Sequence, residues 1–354
     1  MLRRTFLLVL SALPVCAQLP VETIGRINRM VETKMAKDSI PGLSVAVAVN
    51  GELRWEQGYG FQDLEALVPA TSQTVYRLAS ISKPITAVAA MQLWEQGRLD
   101  LHSPVQRYVP SFPAKPQGTV TVGLLLAHLG GIRHYNGNEE LDTVRHYENV
   151  ADSLGVFAND PLVAAPGTKY SYSTYGYNLA GAAVQAASGE RFHEYVQRHI
   201  CQPAGLTTLR DDNRWEIIRH RTRFYSKRAD GVVFNAGLTD TSNKIPGGGM
   251  VAAAGDLIRF ALAVRGGVLL KPETLETMWA PQTLRDGGKS SYGYGWDLRE
   301  RNGRRVVGHS GGQQGTSTRL FLEPASGNAV VVMVNMDGAG VDGLAGEILD
   351  ALHP

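Results

Sequence analysis

The sequence predicts a mixed α/β (α+β) fold, with one antiparallel sheet assembled from both ends of the chain. Strand-like runs occur early and late in the 354 residues, and patterns of short helices and loops fill the stretch between them. A helical pattern also lies at each end, where it can cover a face of the sheet. We therefore expect an α/β lobe from residues 18–100 and 245–354, with terminal helices packed on its sheet, and an inserted helical lobe over residues 101–244.

The early elements are predicted as a helix, a β-hairpin and a second helix. Asn50-Gly51 lies between two extended runs and is a strong signal for a two-residue hairpin turn. Apolar residues later recur at helical spacing until Gly97, which ends the second helix. The predicted ranges are helix 21–37, strands 43–49 and 53–59, an extended run over 75–78 and helix 81–96.

The later elements are predicted from the same periodicities. Thr121 is a candidate N-cap for one helix, and Gly189 ends another. The last extended run is apolar enough to be a central strand. The predicted ranges are helices 120–128, 174–188 and 192–200, strands 292–297, 305–308, 318–322 and 329–336, and a closing helix 343–352.

The first residues have the pattern of an export signal. Arg3 and Arg4 precede an apolar run over residues 5–15, and small residues suited to cleavage follow it. The run is too short to cross a bilayer, and the residues before Cys16 disfavour lipid anchoring there. We expect residues 1–17 to be a signal peptide and the protein to be exported, either periplasmic or extracellular. A transit peptide is the second interpretation.

The remaining composition argues against several classes of partner. Without residues 1–17 the chain has 33 basic and 33 acidic side chains, so no net field would attract nucleic acid or a membrane surface. Cys201 would be the only cysteine, which excludes an internal disulfide. His193 and His199 do not share a helical face, and no phosphate-binding glycine loop occurs. We expect no cofactor, no metal site and no stable membrane span.

Ser80-Ile81-Ser82-Lys83 is the only Ser-x-x-Lys in the sequence, and it lies where an extended run gives way to a helix. Ser80 would lie at the helix N-terminus, with Lys83 one turn later on the same side. A serine hydroxyl becomes a strong nucleophile when a neighbouring base takes its proton, and a buried lysine with a lowered pKa is such a base. The helix N-terminus would stabilise a developing negative charge. The alternative is that Ser80 only caps the helix.

Two further motifs contain candidate site residues. Tyr172-Ser173-Thr174 precedes a helix, so the Tyr172 phenol could point into a cleft; alternatively, Thr174 caps the helix beside a supporting aromatic patch. Residues 308–312, Gly-His-Ser-Gly-Gly, follow a strand, and their glycines would let the backbone approach a ligand and direct N–H groups at it. The alternative there is a glycine-rich bend in which His309 is hydrogen-bonded at a strand edge.

The order of the three motifs resembles that of the serine β-lactamase and penicillin-binding-protein superfamily. From about Val21 to the C-terminus, the chain is similar to the group of class C β-lactamases, D-alanyl-D-alanine carboxypeptidases and related esterases. Segments 125–135 and 247–250 also look like that group. The segments that particularly resemble the mitochondrial β-lactamase-like serine proteins and their bacterial relatives are residues 132–135, 160–162 and 221–225. The resemblance implies a β-lactamase/transpeptidase-like fold.

The resemblance also implies a role for each matching residue. Ser80 would be the acylated nucleophile, Lys83 would assist its deprotonation, and Tyr172 would serve as base or proton shuttle. An isolated phenol has a pKa of about 10, so Tyr172 would need positive charge nearby to act as a phenolate. The oxyanion hole would consist of the backbone N–H groups of Ser80 and Gly312. The residues expected to contact the substrate are Thr174, His309, Ser310 and Gly311.

The second and third motifs depart from the best-known β-lactamase pattern. Thr174 stands where those enzymes have asparagine, and His309 and Ser310 stand where they have lysine and threonine. A neutral histidine is a weaker anchor for a substrate carboxylate than a lysine is. We therefore predict an exported serine hydrolase that cleaves ester or peptide/amide bonds of a small molecule or peptide and is not an efficient β-lactamase.

Other interpretations stay open at this point. The fold could belong to a non-catalytic or weakly catalytic protein that forms filaments or senses a ligand, or to a genuine β-lactamase or D-Ala-D-Ala carboxypeptidase, and self-association is not excluded. Tyr147-Glu148-Asn149 is a second candidate for the tyrosine motif, although its charged surroundings favour a solvated face. Residues 308–312 also match the Gly-x-Ser-x-Gly elbow of α/β-hydrolases, but that fold needs a helix after the serine.

Overall fold

A computed structural model describes residues 19–353, so the predicted signal peptide lies outside the described residues. The strands are β1 Gly42–Val49, β2 Glu52–Asp63, β3 Val68–Pro69, β4 Tyr76–Arg77, β5 Arg210–Asp211, β6 Tyr225–Lys227, β7 Val233–Asn235, β8 Met250–Ala252, β9 Asp297–Arg301, β10 Arg304–Gln313, β11 Thr316–Leu322 and β12 Ala329–Val334. The helices are α1 Val21–Asp38, α2 Ser82–Glu95, α3 Val122–Leu126, α4 Asn138–Leu141, α5 Thr174–Ser188, α6 Phe192–Val196, α7 Gln202–Ala204, α8 Ile245–Gly248, α9 Ala254–Arg265, α10 Pro272–Met278 and α11 Asp342–Asp350. None of these helices is long and apolar enough to span a membrane.

The main sheet joins the two ends of the chain, as the sequence predicts. Over residues 19–353 it has seven antiparallel strands in the order β3-β2-β1-β12-β11-β10-β9. The ends meet where β1 pairs with β12, with Leu43 opposite Val334. The Asn50-Gly51 turn is also confirmed, since both residues have the positive φ that this hairpin turn requires. The predicted α+β class is therefore correct.

Several predicted elements differ at their ends. Residues 292–297 are not a strand; their alternating aromatic residues imitate one, but Gly295 has a φ of 85° and packs against α2, so pairing starts only at Asp297. The α-helix predicted over 192–200 ends at Val196, and Gln197–Cys201 form a π-helical turn directly after it. Residues 308–312 lie inside β10 rather than after a strand, because β10 runs on to pair with β11.

The core lies on both faces of the sheet, which explains why β12 is apolar throughout and β1 is nearly so. In β1, Ala46 and Ala48 face the cluster that contains α2, α5 and α9, whereas Val45 and Val47 face the cluster of α1 and α11. Side chains of a strand alternate between its faces, so a strand buried on both sides has few polar positions, and a buried polar residue such as Ser44 is hydrogen-bonded. Helix α2 is itself surrounded, since every residue from Ser82 to Leu93 is buried.

β10 approaches the segment before α2 so closely that a side chain would not fit. A β-carbon at Gly311 would lie 2.2 Å from the Leu78 carbonyl oxygen and 2.3 Å from Thr318 Oγ1. The neighbouring Gly312 faces open space, with nothing within 4 Å of an added β-carbon. Glycine at position 311 therefore permits β10 to contact Leu78 and Ala79.

We predict that Gly311→Ala destabilises the protein by about 1–3 kcal/mol, because the added methyl group overlaps backbone atoms that cannot move independently. Gly312→Ala is the matched control and should leave the free energy of unfolding near that of the unmodified protein. Urea denaturation of the two variants measures the difference. Equal stability of the two variants would contradict this close contact.

Candidate active site

The Ser-x-x-Lys motif lies where β4 passes through a 3₁₀ turn, Ala79–Ile81, into α2. Ala79 has a φ of 47°, in the left-handed region that few non-glycine residues adopt. At this turn Ser80 is partly exposed, whereas the residues on either side of it are buried. Helix α2 begins at Ser82 and has no side-chain hydrogen bond at its N-cap, so Ser80 does not cap it.

Two threonines of β11 hold this turn against the sheet. Thr316 Oγ1 donates to the Arg77 carbonyl at 2.9 Å, and Thr318 Oγ1 donates to the Leu78 carbonyl at 3.0 Å. Both hydroxyl groups are buried, so each of them is satisfied by a backbone carbonyl. The sheet thereby fixes the backbone immediately before Ser80.

Lys83 is fully buried one turn after Ser80, and its side-chain nitrogen contacts three oxygen atoms. Nζ lies 2.9 Å from Ser80 Oγ, 3.2 Å from Thr174 Oγ1 and 2.7 Å from the carbonyl oxygen of Gly247. A β-carbon at Gly247 would lie 2.5 Å from Thr174 Cγ2, so glycine is needed for this approach. One nitrogen therefore joins the first motif, the second motif and α8.

The surroundings of Lys83 favour its uncharged form. Burial lowers the pKa of Lys83 well below its ordinary value, and the positive charge of Lys244 lowers this pKa further. The three oxygens that contact Nζ are uncharged, and no carboxylate within residues 19–353 forms an ion pair with it. Lys83 is therefore suited to accept a proton.

Tyr172 lies on the other side of this lysine. Its ring centre is 4.7 Å from Lys83 Nζ, and its hydroxyl group interacts with Ser80. Burial raises the pKa of Tyr172 well above its ordinary value, although the interaction with Ser80 lowers it in part. The phenol is consequently protonated at neutral pH.

Thr174 is the first residue of α5, but it does not cap the helix. Ser173 Oγ accepts the N-capping bond from the Gly176 N–H at 2.8 Å, so the alternative that Thr174 is the cap is wrong. The Thr174 hydroxyl instead faces Lys83, and its N–H donates to Nδ1 of His134 at 3.2 Å. The side chain is therefore available for chemistry because its neighbour caps the helix.

His309 is buried beside Tyr172, and both of its ring nitrogens have partners inside the protein. Nδ1 lies 2.6 Å from the carbonyl oxygen of Ser310, and Nε2 lies 2.8 Å from the hydroxyl group of Tyr292. Because a carbonyl only accepts, Nδ1 carries the proton and Nε2 accepts from Tyr292. Burial lowers the pKa of His309 to about 4. His309 thus presents no cation to a ligand.

The rest of the third motif lies along the same strand. Ser310 is partly exposed and is paired with Arg319 of β11. Gly311 contacts the 3₁₀ turn, and Gly312, the next residue, is exposed. The fold therefore brings residues 308–312 beside Ser80, as it does residues 172–174.

Two neutral histidines near the site escaped the sequence reasoning. His128 is buried, accepts from the Ser173 N–H at 3.1 Å and has its ring centre 4.3 Å from that of Tyr172. Burial lowers the pKa of His128 well below its ordinary value and that of His134 to about 4. Both lie in segment 125–135, and the resemblance of that segment to the family was the sequence signal that could have identified them.

The rival motifs lie elsewhere. Tyr147 lines a polar cavity of about 470 Å³ whose lining includes none of Ser80, Lys83 and Tyr172. His199 bonds to a glutamate rather than to His193, and the described residues contain no cluster that could hold a metal ion. Ser310 is followed by more strand, so the nucleophile elbow of α/β-hydrolases is absent from this part of the chain.

A serine and a buried lysine one turn apart, set between an antiparallel sheet and a helical region, define the class of β-lactamase and penicillin-binding-protein folds. The family model described as Beta-lactamase matches residues 27–353, and the chain belongs to that family.

Known proteins of this family resemble the chain over most of its length. The serine beta-lactamase-like protein LACTB, mitochondrial, of Homo sapiens is 31% identical, over 87% of this chain and 76% of the relative. The octameric penicillin-binding protein homologue from Pyrococcus abyssi has a TM-score of 0.81 at 25% identity, over 93% of this chain and 77% of the other. The D-amino acid amidase from Ochrobactrum anthropi SV3 has a TM-score of 0.81 at 22% identity, over 94% of this chain and 98% of the other, and shares the fold.

We predict that His134 and His309 remain neutral until the pH falls to about 4, because burial opposes their protonation. Their pKa lies below the unfolded value of 6.5, so they contribute stability above pH 6.5 that is lost as the pH falls toward 4. Nuclear magnetic resonance titration of labelled histidines, assigned with His134→Gln and His309→Gln, measures both values. Titration of either ring above its unfolded pKa would contradict this account.

Proposed function

We propose that this protein is an exported serine hydrolase that cleaves ester or peptide/amide bonds through an acyl-enzyme on Ser80. One observation supports this most directly. Ser80 is partly exposed, and its Oγ lies 2.9 Å from Nζ of Lys83, which is fully buried and is hydrogen-bonded only to uncharged oxygens. A hydroxyl and an amine in this arrangement can exchange a proton while the hydroxyl oxygen attacks a carbonyl carbon.

The hydrogen bonds of Lys83 suggest the direction of the proton transfer. A neutral amine has two N–H donors and one lone pair. The Gly247 carbonyl can only accept, so one N–H points there, and Thr174 Oγ1 can accept the second. The lone pair then faces Ser80. As Oγ forms its bond to the substrate carbonyl carbon, the hydroxyl proton moves to Lys83.

Tyr172 is proposed as the proton shuttle rather than as a standing base. Its raised pKa keeps the phenol protonated, and its hydroxyl group interacts with Ser80. It can therefore donate its proton to the leaving group and regain one from the Lys83 side, so that protons balance when the acyl-enzyme forms. A later attack by water on the acyl carbon reverses these transfers and frees Ser80.

The backbone N–H groups of Ser80 and Gly312 are proposed as the oxyanion hole. The close approach of Gly311 to the Leu78 carbonyl supports this, because it brings the next residue of β10 beside the 3₁₀ turn. The N-terminus of α2 adds a favourable field for negative charge at this point. Thr174 and Ser310 would contact the substrate on either side.

The charges around the site support neutral substrates. Lys83 is buried and suited to be neutral, and both nitrogens of His309 are occupied by Tyr292 and by the Ser310 carbonyl. A substrate carboxylate would find no charge-assisted partner at His309, which disfavours penicillins. A D-amino acid amidase has the same fold, so this fold accommodates amide cleavage in at least one protein.

Export and self-association belong to the proposal as well. The proposal of export rests on the pattern of residues 1–17. It does not rest on the human relative, which is mitochondrial by its name. The octameric state of the Pyrococcus abyssi homologue supports self-association of this chain.

We predict that a fluorophosphonate adds once to the protein and that the adduct maps to Ser80, because among residues 19–353 Ser80 is the serine that combines partial exposure with a lysine partner. Intact mass and peptide mapping measure this. Ser80→Ala should abolish labelling, whereas Ser310→Ala should retain it. An unlabelled protein would favour the non-catalytic interpretation.

The partners of Ser80 are tested in the same assay. Lys83→Met and Tyr172→Phe should each slow labelling by roughly 10²–10⁴-fold, since both remove proton-transfer groups. The labelling rate of the double variant should fall by less than the product of the two single-variant factors, because the two residues act as one unit. Tyr147→Phe is the control and should be labelled at the normal rate. Slow labelling of Tyr147→Phe together with normal labelling of Tyr172→Phe would assign the role of proton shuttle to Tyr147.

We predict that small p-nitrophenyl esters or internal peptide bonds are cleaved faster than nitrocefin, because the site offers no cation to a substrate carboxylate. Steady-state kinetics on a panel of these substrates and D-Ala-D-Ala peptides measures the preference. His309→Lys should raise kcat/KM for substrates with a carboxylate relative to neutral esters. Faster turnover of nitrocefin than of simple esters by the unmodified protein would restore a true β-lactamase.

A further inference from the structure

Lys244 is a second fully buried lysine, and the proposed mechanism does not use it. It ends the 3₁₀ turn Thr241–Lys244, just before α8. Its Nζ donates to the Leu141 carbonyl at 2.7 Å and lies 5.4 Å from the ring centre of Tyr135. No carboxylate of the described chain forms an ion pair with it. A buried ammonium group without a paired anion is costly, so a lysine here calls for an explanation.

A chain of contacts connects Lys244 with the site. The Tyr135 ring centre lies 5.4 Å from Lys244 Nζ and 5.2 Å from the ring centre of Tyr175 in α5, and Thr174 interacts with the Tyr135 hydroxyl group. Thr174 Oγ1 in turn lies 3.2 Å from Lys83 Nζ. The backbone makes a second connection, because Gly247, whose carbonyl contacts Lys83, is three residues after Lys244.

The groups that face the two lysines differ in their charge. The groups around Lys83 are histidines, tyrosines and the other lysine, namely His128, His134, His309, Tyr172, Tyr177 and Lys244. The charged groups around Lys244 are Arg77, Asp142, Asp212 and Asp240.

Two of these acids already have partners of their own. Asp212 is paired with Arg77 and Arg221, and Asp240 is bonded to His146. In a dry interior, charges interact more strongly than they do in water. The acids near Lys244 therefore offset its field at Lys83 only in part, because within the described residues none of them forms an ion pair with either lysine.

We infer that Lys244 is a positioning residue that keeps Lys83 in its neutral, proton-accepting form by placing a second positive charge behind Tyr135 and Thr174. The inference rests on the proposed roles of Ser80 and Lys83. Burial lowers the pKa of Lys244 to about 7, so Lys244 becomes charged as the pH falls through that value. Its charge then opposes protonation of Lys83, which stays neutral to a lower pH than it would alone.

The test is the pH dependence of Ser80 acylation in two variants that remove the charge differently. Lys244→Met fills the space without a donor, whereas Lys244→Gln keeps an N–H donor for the Leu141 carbonyl. The second-order rate of fluorophosphonate labelling is measured from about pH 4 to about pH 9 in the full chain. Lys115→Met is the matched control, because Lys115 also donates to backbone carbonyls, those of Ala158 and Asp160, at a distance from the site.

In both Lys244 variants the acid-side inflection should move to higher pH by about one unit, which at acid pH is about a tenfold loss of rate, while the plateau is retained. Lys115→Met should leave the inflection unchanged. An unchanged inflection in both variants, with only a lower plateau, would assign Lys244 a purely structural role and overturn the inference. A shift in Lys244→Met alone would implicate the hydrogen bond rather than the charge and overturn it too.

Two further measurements, the folding of each variant and the labelling of the unmodified protein, show which proposal a negative result contradicts. Circular dichroism shows whether each variant folds, and Lys244→Gln decides the question if Lys244→Met does not. If the unmodified protein is not labelled at Ser80, the proposed function fails before the role of Lys244 is reached. If Ser80 is labelled and the inflection does not move, only the inference about Lys244 fails.

Discussion

The site depends on burying Lys83 without an acid beside it. Water would keep a lysine charged, and a neighbouring carboxylate would do the same, so both must be absent if the amine is to accept a proton. The surrounding helices exclude water, and the contacts of Nζ are a hydroxyl, a second hydroxyl and a carbonyl. Helix α2 must therefore be enclosed on every side, which requires the sheet, α5 and α8 to pack around it.

The same constraint explains where the chain tolerates only small residues. Gly247 permits α8 to reach Thr174, and Gly311 permits β10 to reach the turn before Ser80. Thr316 and Thr318 then hydrogen-bond the backbone of that turn, so two neighbouring strands fix one short segment. Thr174 and Gly247, which are far from Lys83 in the sequence, are thereby held within hydrogen-bonding distance of its Nζ.

The third motif gives this member of the β-lactamase family its individual character. His309 is held in a neutral form by Tyr292 and by a backbone carbonyl, and the imidazoles of His128 and His134 are disfavoured as cations by burial. Much of the polar wall of the site is thus uncharged. Histidines with so low a pKa would not compete with Lys83 for the Ser80 proton in the proposed mechanism, and an uncharged wall offers little to an anionic substrate.

The sequence by itself determined the fold class, the hairpin at Asn50-Gly51 and the motif at Ser80, because these depend on local periodicity and turn chemistry. It could not decide that Ser173 rather than Thr174 caps α5, since either hydroxyl suits that position. Nor could it find Tyr292 and Lys244, whose importance comes from what packs against them. Burial, and the loss of charge that burial favours, is a property of the assembled structure, and only the tertiary structure decided it.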